Sequence, residues 1–243
     1  MPVKGIILAA GLGTRLQPLT SVTSKVLLPI YDRPMIYYPI KSLVDAGITD
    51  IICVIGGPYA SHFIAALKDG KMLGVKNLHY VYQEKLEGGP GEALLCAEEF
   101  TAGDSMAVVL GDQVTDANLK EATESFKGGA TVFLQKYMDP EGMGVPEFDK
   151  QNPDKILRIE ENPTNPASEY AATGIYLYDN QCFSFIRKLQ NEVKGEIKPT
   201  HINSMYIDKN ALTWALLDGF WVDAGKFNRL YEATRYFAEK AST

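Results

Sequence analysis

The run from Val3 to Ala9 is almost wholly apolar, does not alternate with polar side chains, and empties into Ala10-Gly11-Leu12-Gly13. A half-exposed strand alternates, whereas one without alternation is covered on both faces. The chain must therefore build a sheet sandwiched between helices. The same pattern recurs downstream. Strand-like runs at Asp50 to Ile55, Leu78 to Gln83, Met106 to Leu110 and Ala130 to Lys136 alternate with helix-like segments at Arg33 to Ala46, Pro58 to Lys68, Gly91 to Phe100 and Asn118 to Phe126. This order predicts βαβ units in an α/β fold, doubly wound around a mainly parallel sheet with helices on both faces. Asp32 reads as the N-cap of the first helix, with Pro34 in its first turn and Gly47 as its stop.

The second half reads differently. Gly144 to Phe148, Lys155 to Glu160 and Ala171 to Tyr178 are strand-like, separated by turn signals at Asn152-Pro153 and from Asn162-Pro163 to Pro166. Helices are expected at Gln181 to Gln190 and Thr200 to Lys209, a strand at Ala211 to Leu217, and a last helix at Phe227 to Lys240. That helix carries Phe227, Leu230, Tyr231, Thr234 and Phe237 on one stripe, which reads as core or a subunit contact. No long linker interrupts the chain, so one domain spanning 1–243 is expected, its halves meeting near 137–138.

Charge narrows the choice of ligand. The 243 residues carry a formal net charge of −6, and a general nucleic-acid surface needs a basic excess. An anionic ligand would have to be held by a few local cations, backbone dipoles or a metal. Cys53, Cys96 and Cys182 form no C-x-x-C pair. They read as packing residues in a reducing cytosol, not as zinc ligands or disulfides. No run reads as a leader or a membrane span, so a cytoplasmic protein without a membrane partner is expected.

The chemistry points to the turn after the first strand. Ligands of open α/β sheets bind beyond the C-terminal ends of strands. Leu8 and Ala10 bring the chain to that edge, and Gly11, Gly13 and Thr14 follow. Glycines there let several backbone N–H groups approach phosphate oxygens. Arg15 adds a planar positive fork, and Lys25 stands ten residues further on. The dinucleotide fingerprint needs a third glycine where Leu16 stands, and the P-loop needs G-K-[ST], which is absent. A bare G-x-G reads first as a turn; the Thr, Arg and Lys beside it favour a phosphate role.

The run LAAGLGTRLQPLT followed by SKVLLPIYDRPMIYYPI resembles the sugar-phosphate nucleotidyltransferase family, most closely its short-form glucose-1-phosphate thymidylyltransferases. Further matches are Tyr82-Gln83, Leu110-Gly111-Asp112, Glu160-Glu161, Thr173-Gly174-Ile175-Tyr176, Gly195-Glu196 and Trp221 to Gly225. The resemblance implies a Rossmann-like sheet of the nucleotide-diphospho-sugar transferase type, with a nucleotide-binding half at about 1–137 and a sugar-phosphate-binding half at about 138–243. It implies a nucleoside triphosphate and a sugar 1-phosphate as partners, dTTP and glucose 1-phosphate first, with pyrophosphate released by in-line attack. It implies Mg²⁺ on Asp112 and Asp223, catalytic roles for Arg15, Lys25 and Asp112, and base reading by Gln83 and Gly89. Contacts to the sugar phosphate would come from Gly144, Glu161, Asn162, Gly174 and Lys194, and the subunits would form a homo-oligomer. Several positions depart from the family pattern: Val26, Pro90, Met143, Asn162, Lys194 and His201. They leave open another nucleotide such as UTP, another sugar phosphate, or a catalytically weak nucleotide-sugar-binding regulator.

Overall fold

The computed structural model describes residues 3–137 and 142–242. In chain order the elements are β1 (Val3–Leu8), β2 (Pro29–Ile30), β3 (Arg33–Pro34), α1 (Tyr37–Asp45), β4 (Asp50–Gly56), α2 (Ala60–Leu67), β5 (Asn77–Gln83), α3 (Gly89–Cys96), α4 (Glu98–Thr101), β6 (Ser105–Leu110), β7 (Gln113–Thr115) and α5 (Lys120–Ser125). There follow β8 (Ala130–Lys136), β9 (Gly144–Phe148), β10 (Ile156–Glu161), β11 (Tyr170–Tyr178), α6 (Gln181–Glu192), α7 (Pro199–Asp208), β12 (Leu212–Leu216), β13 (Trp221–Asp223) and α8 (Phe227–Ala241).

Strand β1 lies at the centre, hydrogen-bonded in parallel to β4 on one side and β6 on the other, with β5 parallel outside β4. Beyond β6 the direction changes. β11 runs antiparallel to β6 and β8, and β12 runs parallel to β8. The β9–β10 hairpin joins at Ala172, opposite Gly144. β8 from the first half thus pairs with β11 and β12 from the second, so both halves share one mixed sheet, of nine strands among the described residues. The expected boundary near 138 falls outside the described residues.

The unalternated run in β1 does what its sequence predicts. Ile7 packs into one apolar cluster with Ile40 and Leu43 of α1 and Ala233 of α8. Its neighbours Ile6 and Leu8 pack into a second cluster with Leu94 of α3, Ile186 of α6 and Tyr206 of α7. Successive side chains leave a strand on opposite faces, so both faces of the sheet are buried under helices. Cys53 and Cys182 are buried and Cys96 half-buried. Burial pushes the Cys53 thiol up to about 12, as expected of a packing residue. Among the described residues no helix is long and apolar enough to cross a membrane.

Some local readings change. Asp32 does not cap α1. It holds Arg33 through two bonds of 2.7 Å beside the β2–β3 hairpin, and Pro34 lies in that hairpin. The helix begins at Tyr37, with Pro39 in its first turn. The segment after Gly91 is not one helix: α3 starts at Gly89, and a separate turn of helix begins at Glu98. On α8, Phe237 is taken up by the core, its ring 4.4 Å from Tyr38, while Phe227 and Tyr231 remain exposed. Strands β7 and β13, which pair antiparallel, are too short to show any period in sequence.

Candidate active site

The turn after β1 is shaped by packing against Lys25. Gly13 has φ +67°, and a Cβ there would come within 2.7 Å of the Lys25 Cβ. Only glycine meets both demands without strain. The Thr20 hydroxyl donates to the Gly13 carbonyl at 2.9 Å, and a short 3-10 turn from Thr14 to Leu16 follows. A Cβ on Gly11 would lie 3.8 Å from the Lys25 Nζ, so the ammonium is held against this turn.

The carboxylates come from two other segments. Gly111 N–H donates to the Leu8 carbonyl at 2.9 Å, which carries the end of β6 alongside the end of β1. Asp112, only 5% exposed, follows at once. Its Oδ2 pairs with the Lys25 ammonium, and its Oδ1 accepts from the Gln113 side-chain amide at 3.0 Å. Asp223 ends β13 directly across from Gln113. Ala224 N–H donates to the Asp112 carbonyl at 2.9 Å, and Gly225 N–H to Asp223 Oδ1 at 2.9 Å. A Cβ added to Gly225 would meet Asp223 Oδ1 at 2.8 Å, Arg15 Nη2 at 3.1 Å and Asp112 Oδ2 at 3.3 Å. Two acids and a guanidinium therefore converge on one point, which a side chain at 225 would fill.

The two acids are held in unlike states. Burial pushes the Asp112 carboxyl up, but the charge and hydrogen bond of Lys25 more than reverse this, and it ends below the usual carboxylate range. Burial, and then the negative Asp112 beside it, hold Asp223 above that range. Such splitting of neighbouring carboxyls is a mark of functional sites. Two hard oxygen donors suit a divalent cation of the magnesium kind, which takes one or two carboxylates and completes its shell with phosphate oxygens and water. Among the described residues no group of three or more acidic, histidine or cysteine side chains could hold a metal. A cation here would need ligands from a bound phosphate.

A cavity of roughly 300–1,000 Å³ is ordinary for a small-molecule site; this one measures ≈ 570 Å³. It brings together Leu8, Ala10, Gly11, Gly13, Thr14, Arg15, Lys25, Gln83, Gly89, Asp112 and Asp223. The Gln83 side-chain amide donates to the Lys85 carbonyl at 2.8 Å and faces the Gly89 carbonyl at 3.5 Å. The Gly88–Gly91 loop is clamped from the second half: Gly91 N–H donates to the Ile197 carbonyl at 2.8 Å, and Ile197 N–H to the Gly88 carbonyl at 3.0 Å. That clamp brings Glu196 to the cavity wall. The Gly195-Glu196 motif was its only sequence signal, and no role could be read from it.

Gly144, Glu161, Asn162, Gly174 and Lys194 are not among the residues lining this cavity. Gly144 sits where a Cβ would meet Ile159 at 2.9 Å. Glu161 pairs with Lys198 at 3.6 Å. Asn162 adopts φ +47°, and its side-chain carbonyl accepts from Gly142 N–H at 2.8 Å. Asparagine tolerates that left-handed backbone better than most residues. Gly174 is buried with the Gln113 side chain where its own would stand. Lys194 is exposed. His201 caps the start of α7, its Nδ1 accepting from Lys198 N–H at 3.1 Å.

Similarity to known proteins agrees with this geometry. The nucleotidyl transferase family profile matches residues 4–240. A glucose-1-phosphate thymidylyltransferase of Neisseria meningitidis serogroup A is 39% identical over 241 residues, covering 96% of this chain and 82% of that protein. One from Xanthomonas campestris is 40% identical, covering 96% and 80%. A Bacillus anthracis protein described provisionally as a glucose-1-phosphate thymidylyltransferase, crystallised with a sucrose, superposes with a TM-score of 0.90 at 40% identity over 96% of this chain and 94% of that one. A UDP-glucose pyrophosphorylase complexed with UDP-glucose shares the fold, with a TM-score of 0.83 at 23% identity over 99% and 100% of the chains. The match along nearly the whole length, on a sheet whose central strand ends at the glycine turn and the paired acids, establishes that this chain belongs to the nucleotidyl transferase family.

Proposed function

We propose that the protein transfers the thymidylyl group of dTTP to glucose 1-phosphate, giving dTDP-glucose and pyrophosphate. The observation that carries this reading is the convergence of Asp112, Asp223 and Arg15 on one point beside the glycine turn. The names of the relatives supply the nucleotide and the sugar.

In this reading the Gly11–Thr14 backbone and Arg15 hold the triphosphate. Two phosphate groups must meet, and their repulsion is large in a site of low effective dielectric. Lys25 brings a cation to the same place. Mg²⁺ held by Asp112 and Asp223, when bound, supplies the remaining charge neutralisation. A phosphate monoester dianion is already a nucleophile, so no side chain has to remove a proton. Arg15 and Lys25 then favour the transition state by position and charge, aligning attack with the departing pyrophosphate. Gln83 presents both a donor and an acceptor to a base edge, and Gly89 lies beside it. Glu161 at the end of β10 and Lys198 just before α7 are the candidate sugar contacts.

The test is pyrophosphate release with Mg²⁺ across dTTP and UTP, each with glucose 1-phosphate and an amino- or deoxy-sugar phosphate. The expected result is highest kcat/KM with dTTP and glucose 1-phosphate. Preference for another pair moves the substrate assignment. No turnover with any pair, together with tight binding of a nucleotide sugar, overturns it in favour of a regulator.

A further inference from the structure

Directly behind the paired acids lies a side chain with no obvious place in the chemistry. Gln113 is 2% exposed, follows Asp112, and faces Asp223 across the β7–β13 ladder. Its Nε2 donates to Asp112 Oδ1 at 3.0 Å. Its Oε1 accepts from the Trp221 indole N–H at 2.8 Å and from Gly174 N–H at 3.2 Å. The orientation of the amide is forced. The indole and the backbone N–H can only donate, so they must meet the carbonyl oxygen, which leaves the NH₂ for the carboxylate. Gly174 completes the arrangement, because a Cβ there would stand 2.6 Å from the Gln113 Cδ. One amide thus joins the segment bearing Asp112, the strand bearing Asp223 and the antiparallel strand β11.

We propose that Gln113 is a positioning residue, which fixes the rotation of the Asp112 carboxylate and sets its spacing from Asp223. With Oδ1 bonded to Gln113, Oδ2 is the oxygen turned toward Lys25, Arg15 and Asp223. A second consequence concerns Trp221. Its indole reports on the same amide, so the arrangement has a spectroscopic handle. This inference rests on the reading of Asp112 and Asp223 as a shared cation site.

Two variants separate positioning from plain packing. Gln113→Glu keeps the carbonyl-like acceptor for Trp221 and Gly174 but replaces the donor to Asp112 with an acceptor. Gln113→Met keeps the length of the side chain and removes both functions without adding charge. Groups that orient metal ligands are typically worth about 10- to 100-fold in affinity or activity. We expect Gln113→Glu to lower kcat by at least about 10-fold with KM for dTTP little changed and Trp221 emission like the parent. We expect folded Gln113→Met to bind Mn²⁺ in the presence of dTTP about 10-fold more weakly, read by electron paramagnetic resonance. Parent-like kcat in the first, or parent-like Mn²⁺ affinity in the second, overturns the proposal. If one variant fails to fold the other decides, and failure of both assigns Gln113 to the fold alone. Absence of Mn²⁺ binding by the parent protein with dTTP would instead overturn the cation-site reading itself.

Discussion

The two halves of the sheet use the same kinds of residue for different ends. At the ends of β1, β5 and β6, polar side chains face a cavity: Lys25, Arg15, Asp112 and Gln83 all reach it. Around β9, β10 and β11 the corresponding residues serve one another: Glu161 pairs with Lys198, Asn162 secures Gly142, and His201 caps α7. The contrast has a physical origin. A parallel sheet leaves a crevice outside its strand ends, where connections diverge to opposite faces. An antiparallel hairpin closes on itself and satisfies its polar groups locally. Residue type therefore foretells which side chains gather in the cavity at the first edge and not at the second.

The contrast can be broken most forcefully at the first edge. Asp112→Asn is expected to lower kcat by about 10²–10³-fold or more, in a chain that still folds but melts at a lower temperature at neutral pH, because the ion pair with Lys25 is lost. Near-parent turnover in a pyrophosphate assay would dissolve the distinction between the halves. Arg15→Ala follows, with a loss of about 10²-fold that high Mg²⁺ does not restore. Because Arg15 is exposed, stability should be unchanged.

Asp223 offers a sharper comparison. Its folded pKa is raised, so its contribution to stability is present below the ordinary carboxylate range and lost as pH rises through the raised value. Asp112 is the reverse: lowered, it contributes above the ordinary range, and the contribution is lost as pH falls through the lowered value. At neutral pH the ionised Asp223 is thus a cost. Asp223→Asn should abolish most turnover and yet raise the metal-free unfolding midpoint by about 2–4 °C, the shift that about 1 kcal/mol produces at this chain length. Scanning calorimetry should show that gain fading at acid pH, where Asp223 takes up its proton. A lower midpoint at pH 7 would contradict the like-charge account. Sites that gain function at the expense of stability behave this way.

Smaller effects belong to the second half. Gly174→Ala would drive a methyl into Gln113, an overpacking worth about 1–3 kcal/mol in denaturant unfolding. Asn162→Lys should cost about 1 kcal/mol, by losing the bond to Gly142 N–H. If it lowers KM for the sugar phosphate despite that loss, position 162 faces substrate after all.

These outcomes also mark what the sequence could reveal. The apolar run in β1, the glycines after it and the alternation of strands and helices were legible because a buried parallel strand and a phosphate-sized turn impose strong local demands. The first-edge residues named from sequence lie in one cavity for the same reason. Asp32 was misread because an N-cap and a hairpin corner select the same small acid. The β7–β13 pair was invisible, since three residues carry no period. Gln113 escaped notice because its importance lies in partners 61 and 108 residues away, a relation that only folding creates. At Gly174, a sugar-phosphate contact by resemblance, the sequence likewise carries no sign that a side chain from β7 fills the space beside it.

The most direct test of the central claim is anomalous diffraction from crystals grown with dTTP and Mn²⁺. The account predicts one strong peak within coordinating distance of both Asp112 and Asp223, with the triphosphate lying along the Gly11–Thr14 turn. A peak bound to the nucleotide alone, or elsewhere on the protein, would contradict it.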